Sequence, residues 1–497
     1  MDQDLLSIQQ ARTLVAGAKK AQETLAGYSQ EQVDAICAAM AEAGFGHAEE
    51  LARMAVAETG FGRVEDKTLK NQFASRTVWR SIEALRTVGI VAEHPEAGIT
   101  EVGVPMGVIA GLVPTTNPTS TAIFKSIIAV KAGNALVVSP HPSAKECTLA
   151  ATRLMAEAGR TAGLPEGTIG CLDTPTMEAT QAVMTHPDVA LILATGGTAM
   201  VRAAYSSGKP AIGVGPGNGP AYIERTADIP AAVRRILDSK TFDNGTICAS
   251  EQSVVTEDEI RDSVIAEFTR QGAYFLEAGE KEAVGAILMR ASGTMNPAIV
   301  GRPAARIAEM AGVRVPAGTK VLIGMETEVG DAYPYSREKL CPVLGFYSRP
   351  DWSAACELCI RILRHEGAGH TMTIHSRDES VIREFALKKP VSRLLVNTAA
   401  SLGGVGATTG LAPSLTLGCG AVGGNSSSDN IGPLNLIDIR RVARGQREVA
   451  DLRPSSADPE AFDTERLVRL LIERLLGGSA DSRLAEGGVL SSTHHDT

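Results

Sequence analysis

Along the first sixty residues apolar side chains return every three or four positions, as in Val33, Ile36, Cys37, Met40 and Ala41, among many Ala, Gln and Glu. That is the period of a helix with one inward face, and it predicts two or three helices over 7–58. From about residue 98 the texture changes: ITEVGVPMGVIAGLVP exchanges Ala and Glu for β-branched residues and Gly, which predicts strands near a domain edge. Short apolar runs at 107–113, 135–139, 168–172, 190–194 and 211–214 then alternate with helical stretches such as 143–159. This is the order of a parallel sheet covered by helices, an α/β architecture. A second alternation follows Cys248, with SVVTE, AILM, AIVG, KVLIG, CPVLGFY, MTIHS and RLLVNT as candidate strands.

These changes predict a first α/β domain over 1–245, a second over 246–433, a segment at 434–450 and a tail at 451–497. The stretch 401–434 is rich in Gly, Ser and Thr, yet too apolar and too long for a linker, and long loops of this kind carry function. The tail opens as a Pro/Ser/Asp spacer. Within it Leu467, Leu471 and Leu475 repeat every four residues beside Val468 and Ile472, bounded by Asp463/Thr464 and Gly477. Two readings are open for it: a final helix packed on its own domain, or a tethered docking peptide.

The chain has 497 residues, room for two to four domains at about 150 residues each. With 48 basic and 57 acidic residues the net charge is −9, which argues against a partner whose binding depends on neutralising phosphates, so no nucleic acid is expected. The opening MDQDLLSIQQ lacks the basic and apolar regions of a secretory signal, and the apolar runs fall short of the roughly 20 residues needed to cross a bilayer. A cytoplasmic enzyme with no membrane partner is the expectation. Its eight dispersed cysteines then read as reduced thiols.

One of those thiols stands out. In FDNGTICASEQSVV, 242–255, Cys248 lies between a Gly-containing turn and a β-rich run, a context that exposes a side chain at a domain seam. The thiolate is the nucleophile, so catalysis needs surroundings that pull the thiol below about 8.5, whereas most cysteines are small buried hydrophobes. In LVPTTNPTSTAIFKS, Asn117 follows a strand and precedes a helix, where an amide can donate to a developing oxyanion. ATGGTAMVRAA, 194–204, is a strand, a Gly turn and a helix start, an arrangement that offers backbone N–H groups to a pyrophosphate. AIGVGPGNGPAYIE, 211–224, alternates Gly with larger residues and suits either close ligand approach or a structural turn.

Taken in order, PTTNPTST, ATGGT, VGPGNGP, GTICASEQ, EKLCPVLGF and LTLGCGAVGGNSSSDN closely resemble the aldehyde dehydrogenase superfamily, and within it the coenzyme A-acylating branch, over roughly residues 5–445. The resemblance implies a Rossmann-like cofactor domain, a catalytic α/β domain, and β segments near 97–109 and 434–445 used for oligomerisation. It implies that Cys248 attacks a short-chain aldehyde, that Asn117 with the Cys248 N–H holds the oxyanion, and that hydride leaves to NAD. Gly196, Gly197 and Thr198 then lie beside the cofactor phosphates, with Ser139, Gly215 and Gly217 in the same cofactor site. Glu338, in an E-x-x-x-P-V pattern with Pro342 and Val343, binds the nicotinamide ribose.

The departures narrow the reading. Hydrolytic relatives carry a glutamate base where VGPGNGP has Val214, and a lysine where SPHPSAK has Ser139. Without a carboxylate to activate water, a Cys248 thioester is left for the thiol of coenzyme A. His370 in GAGHTMTIHS matches a histidine of the acylating branch and is open to two roles, proton acceptor or structural residue; His141 and His375 are weaker candidates. No metal site is expected: Cys356 and Cys359 form a CxxC, but on a helical stretch without further ligands. The tail resembles encapsulation peptides, which implies a bacterial microcompartment shell or co-cargo as partner of 463–477. Two alternatives stand beside this reading: a hydrolytic dehydrogenase releasing free acid, and a non-catalytic cargo or scaffold protein.

Overall fold

The computed structural model describes residues 3–452 and 464–476. Helices Gln3–Leu25, Gln30–Gly46 and Ala48–Thr59 occupy the region of helical periodicity, and the five apolar positions picked out there are buried. Ser29 accepts the Gln32 N–H while the Gln32 side chain accepts the Ser29 N–H, a reciprocal cap that starts the second helix. A fourth helix, Val64–Gln72, runs on through a π-turn at Phe73–Thr77.

The strands are β1 Gly89–His94, β2 Ile99–Pro105, β3 Val108–Val113, β4 Ala135–Pro140, β5 Ile169–Cys171, β6 Val189–Thr195 and β7 Ala211–Val214. They continue as β8 Gly219–Ile223, β9 Glu251–Glu257, β10 Ala273–Phe275, β11 Val321–Met325, β12 Val343–Arg349, β13 Gly369–His375, β14 Val391–Val396 and β15 Ile437–Ala443. The first parallel sheet has the order β5-β4-β3-β6-β7. Both its faces are covered: Val108, Ala110 and Leu112 face the first helix, and Ile109 and Val113 face the helices Pro118–Lys131 and Lys145–Thr161. This is why the runs read as continuously apolar. The chain order reverses between β3 and β6, and there the buried Lys125 ammonium donates to Leu112 O at 2.6 Å and Leu193 O at 2.7 Å.

The second parallel sheet has the order β10-β11-β12-β9-β8-β13-β14. The chain therefore passes from one sheet to the other between Val214 and Gly219, ahead of the division expected at 245–246; that expectation followed Cys248, whereas β8 enters the second sheet before the cysteine is reached. Two expected strands are absent. AILM closes the helix Ala278–Leu288, and AIVG lies in a turn with Ile299 fully buried, because an apolar run of four does not distinguish a strand from a buried helix end.

A third sheet joins β1, β2 and β15. Contacts separate a large unit, 1–93 with 100–442, from a small one, 94–99 with 443–497. In the small unit the Arg444 N–H donates to Gly98 O at 2.9 Å, and Thr464–Leu476 forms a helix whose Leu467, Val468, Leu470, Leu471 and Ile472 are exposed. The spacer at 453–463, the expected stop at Gly477 and the polar end lie outside the described residues. Among the described residues no helix is long and apolar enough to cross a membrane.

In the second sheet's core, Phe385 stacks on Tyr222 with ring centroids 4.7 Å apart, pinning the helix Glu379–Lys388 against the strands. Phe385→Ala is expected to cost about 3–5 kcal/mol, the usual loss for a buried aromatic, read as a shift in the urea midpoint.

A candidate active site between two sheet edges

Strand direction places the site. Asn117 follows the C-terminal end of β3 and Gly196 follows that of β6, so both flank the reversal point of the first sheet, where open parallel sheets bind ligands. Cys248 precedes β9, Gly217 precedes β8, His370 lies at the start of β13 and Glu338 precedes β12. These are adjacent strands, so four residues far apart in sequence share the N-terminal edge of the second sheet.

Direct contacts tie the two edges. The Asn117 Nδ2 donates to Thr246 O at 3.0 Å, two residues before Cys248. Behind it lies a buried ionic cluster that sequence reasoning missed. Lys70 Nζ donates to Asn117 Oδ1 at 2.6 Å, to Thr246 O at 3.1 Å and to Asp243 Oδ2. Lys67 Nζ donates to the same carboxylate oxygen at 2.9 Å and to Thr116 O at 2.8 Å. Asp243 and Asn244 hold φ near +50°, with Gly245 at +80°, so the D-N-G turn ahead of the cysteine runs through three left-handed residues. Asp and Asn tolerate that region better than most side chains. The visible signal was this tripeptide together with two lysines three apart on one helix.

Glycine permits the close approach at the nucleophile. A Cβ on Gly217 would fall 1.9 Å from Cys248 O and 3.3 Å from His370 Cγ, so the Gly217 backbone lies directly against both. Its N–H donates to Glu338 Oε1 at 2.9 Å, and the Glu338 N–H donates to Glu366 Oε2 at 2.9 Å. Arg393, 4% exposed, points its guanidinium at neutral acceptors, including Thr371 Oγ1 at 3.3 Å and Ser428 O at 3.1 Å, and pins the Gly-rich loop to the sheet. Thr371 Oγ1 lies 3.0 Å from His370 Nδ1; His370 Nε2 is buried without a partner.

Burial dominates the ionisation here. It pushes the Cys248 thiol up to about 12, assisted by Glu338 and Cys419 and opposed by Arg393. A thiolate nucleophile calls for the opposite direction. The difference arises because the cysteine is enclosed beside a carboxyl group, with no cation in direct contact. Burial, then Glu366, raises Glu338 to about 8, while burial, then Arg393, lowers His370 to about 3. The ligand-free site therefore holds a thiol and a neutral imidazole.

The cofactor candidates divide. Gly197 caps the helix Thr198–Tyr205, with Gly197 and Thr198 exposed, and the neighbouring Thr195 Oγ1 is buried without a partner. Gly215 is open where a Cβ would stand. Those residues fit a phosphate-bearing cofactor. Ser139 is instead buried inside β4, 2.9 Å from Thr180 Oγ1. His141 sits outside the cluster, in a surface turn. His375 is buried at the far end of β13 from His370. Cys356 and Cys359 are buried on the helix Trp352–His365.

Two parallel sheets meeting edge to edge over a cysteine define a class, and a model of the aldehyde dehydrogenase family matches residues 4–335. The chain belongs to the aldehyde dehydrogenase family. It is similar to the bifunctional aldehyde-alcohol dehydrogenase AdhE of Escherichia coli, 47% identical over 88% of this chain and 50% of that one. It thus spans about half the length of that curated relative. Among solved structures it is similar to an acetylating aldehyde dehydrogenase from Geobacillus thermoglucosidasius, 51% identical with a TM-score of 0.89 over 90% of this chain and 99% of that one. A propionaldehyde dehydrogenase from a Clostridium phytofermentans fucose utilisation microcompartment is 29% identical, with a TM-score of 0.79 over 87% and 97%.

Cys248 is the one cysteine of the eight that is not fully buried. With its thiol near 12, carbamidomethylation of the ligand-free protein is expected to accelerate about tenfold per pH unit between about 7 and 10. Peptide mass spectrometry at each pH follows this, and a plateau at or below 9 would show surroundings that favour the thiolate instead.

Proposed function

We propose that the chain oxidises a short-chain aldehyde to an acyl-coenzyme A, with NAD as hydride acceptor. The observation that carries this reading is the grouping of Cys248, Gly217 and His370 at one sheet edge, with Val214 where a water-activating carboxylate would be needed. In this proposal Cys248 Sγ gives up its proton to solvent and bonds to the carbonyl carbon, and the Asn117 Nδ2 and the Cys248 N–H donate to the resulting oxyanion. A bound nicotinamide would supply the hydride acceptor, and loss of the aldehyde hydrogen with its electron pair would leave a thioester on Cys248. Gly196, Gly197 and Thr198 offer amides to the cofactor phosphates, and Glu338, kept largely protonated at neutrality, faces the ribose. The thiol of coenzyme A then displaces Cys248, and His370 Nε2, free of any partner, accepts that thiol's proton.

Product analysis tests the reaction. With coenzyme A the expected products are acyl-coenzyme A and NADH in equal amounts, and Cys248→Ala abolishes both; free acid formed at the same rate without coenzyme A would establish the hydrolytic alternative. An unreactive Cys248 with no turnover on any short aldehyde would favour a scaffold.

We further propose a homo-oligomer built through β2 and β15, in the cytoplasm within a bacterial microcompartment, with Thr464–Leu476 docking to shell or co-cargo by its exposed apolar side chains. Deleting 451–497 is expected to leave kcat unchanged while co-sedimentation with microcompartment shells is lost. An insoluble or inactive truncated protein would point to a structural tail.

A further inference from the structure

We propose that Lys70 is a positioning residue that fixes which end of the Asn117 amide faces the nucleophile loop. This rests on the reading of Asn117 as an oxyanion donor. An asparagine at a helix N-cap ordinarily turns its oxygen onto the first helical N–H groups. Asn117 occupies that position before Pro118, yet makes no such bond. Its oxygen is taken instead by the Lys70 ammonium at 2.6 Å.

The two ends of a carboxamide have nearly the same shape and opposite hydrogen-bonding character, so shape alone does not orient it. An ammonium only donates. With Lys70 on one side the oxygen must face the lysine, and the Nδ2 must face Thr246 O and the segment leading to Cys248. Without the cation, Thr246 O is still an acceptor, but a neutral, more mobile neighbour tolerates the inverted amide, which would turn a lone pair toward the developing negative charge. Lys70 is itself held, 5% exposed, by Asp243, Thr246 Oγ1 at 3.3 Å and Thr246 O. Lys67 shares Asp243 but reaches Thr116 O rather than Asn117, and so provides an internal control.

A double-mutant cycle on the full chain tests the assignment, with kcat and KM measured for aldehyde, cofactor and coenzyme A. Asn117→Ala is expected to lower kcat by roughly 100- to 1000-fold, the usual loss of one oxyanion donor. Lys70→Met is expected to lower kcat at least about tenfold with little change in any KM, and to add less than about twofold when combined with Asn117→Ala, as groups acting as a unit do. Lys67→Met, which also strips a cation from Asp243, is expected to lower the melting temperature comparably while costing kcat far less. Should Lys70→Met not fold, Lys70→Gln carries the same cycle, because its amide can both accept and donate. Multiplicative losses in the double mutant, or equal kcat losses from Lys67→Met and Lys70→Met, would overturn the positioning role. A wild-type rate for Asn117→Ala would instead remove the oxyanion reading, and the proposal with it.

Discussion

A single buried carboxylate holds the active-site region together. Asp243 is fully buried and receives two ammonium groups from one helix, the Arg63 N–H at 2.7 Å and the Thr246 hydroxyl at 2.6 Å. Burial alone would raise its pKa and disfavour the charged form, but Lys70 and Lys67 outweigh it and keep the carboxyl below its ordinary range. The contribution to stability is therefore present above the unfolded carboxylate range and lost as pH falls through the lower folded value. Removing Asp243 from such a cluster typically costs about 3–5 kcal/mol, since the two ammonium groups are then left unpaired out of water. The left-handed turn before Cys248, the helix Val64–Gln72 and the Asn117 turn meet at this point, so Cys248 inherits its position from an ion pair it does not touch.

At Cys248, Glu338 and His370 burial acts against charge. The thiol and Glu338 are raised and the imidazole is lowered. A resting site in which these three groups are uncharged has a chemical advantage: fixed donors aimed into a buried space bind a transient negative charge more strongly than they would in water, because less solvent screens it. It also fits a sequence that offers no carboxylate at Val214 to draw in and activate a water molecule.

The architecture was largely legible in the sequence. The five apolar runs before residue 215 coincide with five parallel strands, and the helical spacing of Val33 to Ala41 gives a buried helix face, because period and burial are local properties. AILM and AIVG were misread for a related reason: short apolar runs are buried in either conformation. Motif order brought Asn117, Cys248, His370 and Glu338 onto the page, and strand direction accounts for their proximity. The ionic cluster was not legible, since Lys67 and Lys70 lie about 175 residues from Asp243, as the separations of 176 and 173 show, and lysines three apart on a helix usually face water. The rise of the Cys248 pKa was equally hidden, being set first by burial and then by Glu338 and Cys419, which only the fold brings close.

The two walls of the site are made differently, one from turns that leave strands and the other from turns that enter them. Insertions in the first set would lengthen its turns without disturbing the register of the second sheet, and insertions in the second would leave the register of the first intact. Such a division lets each set of loops change length on its own, and a designer could graft the loops of one wall while leaving the opposite wall intact.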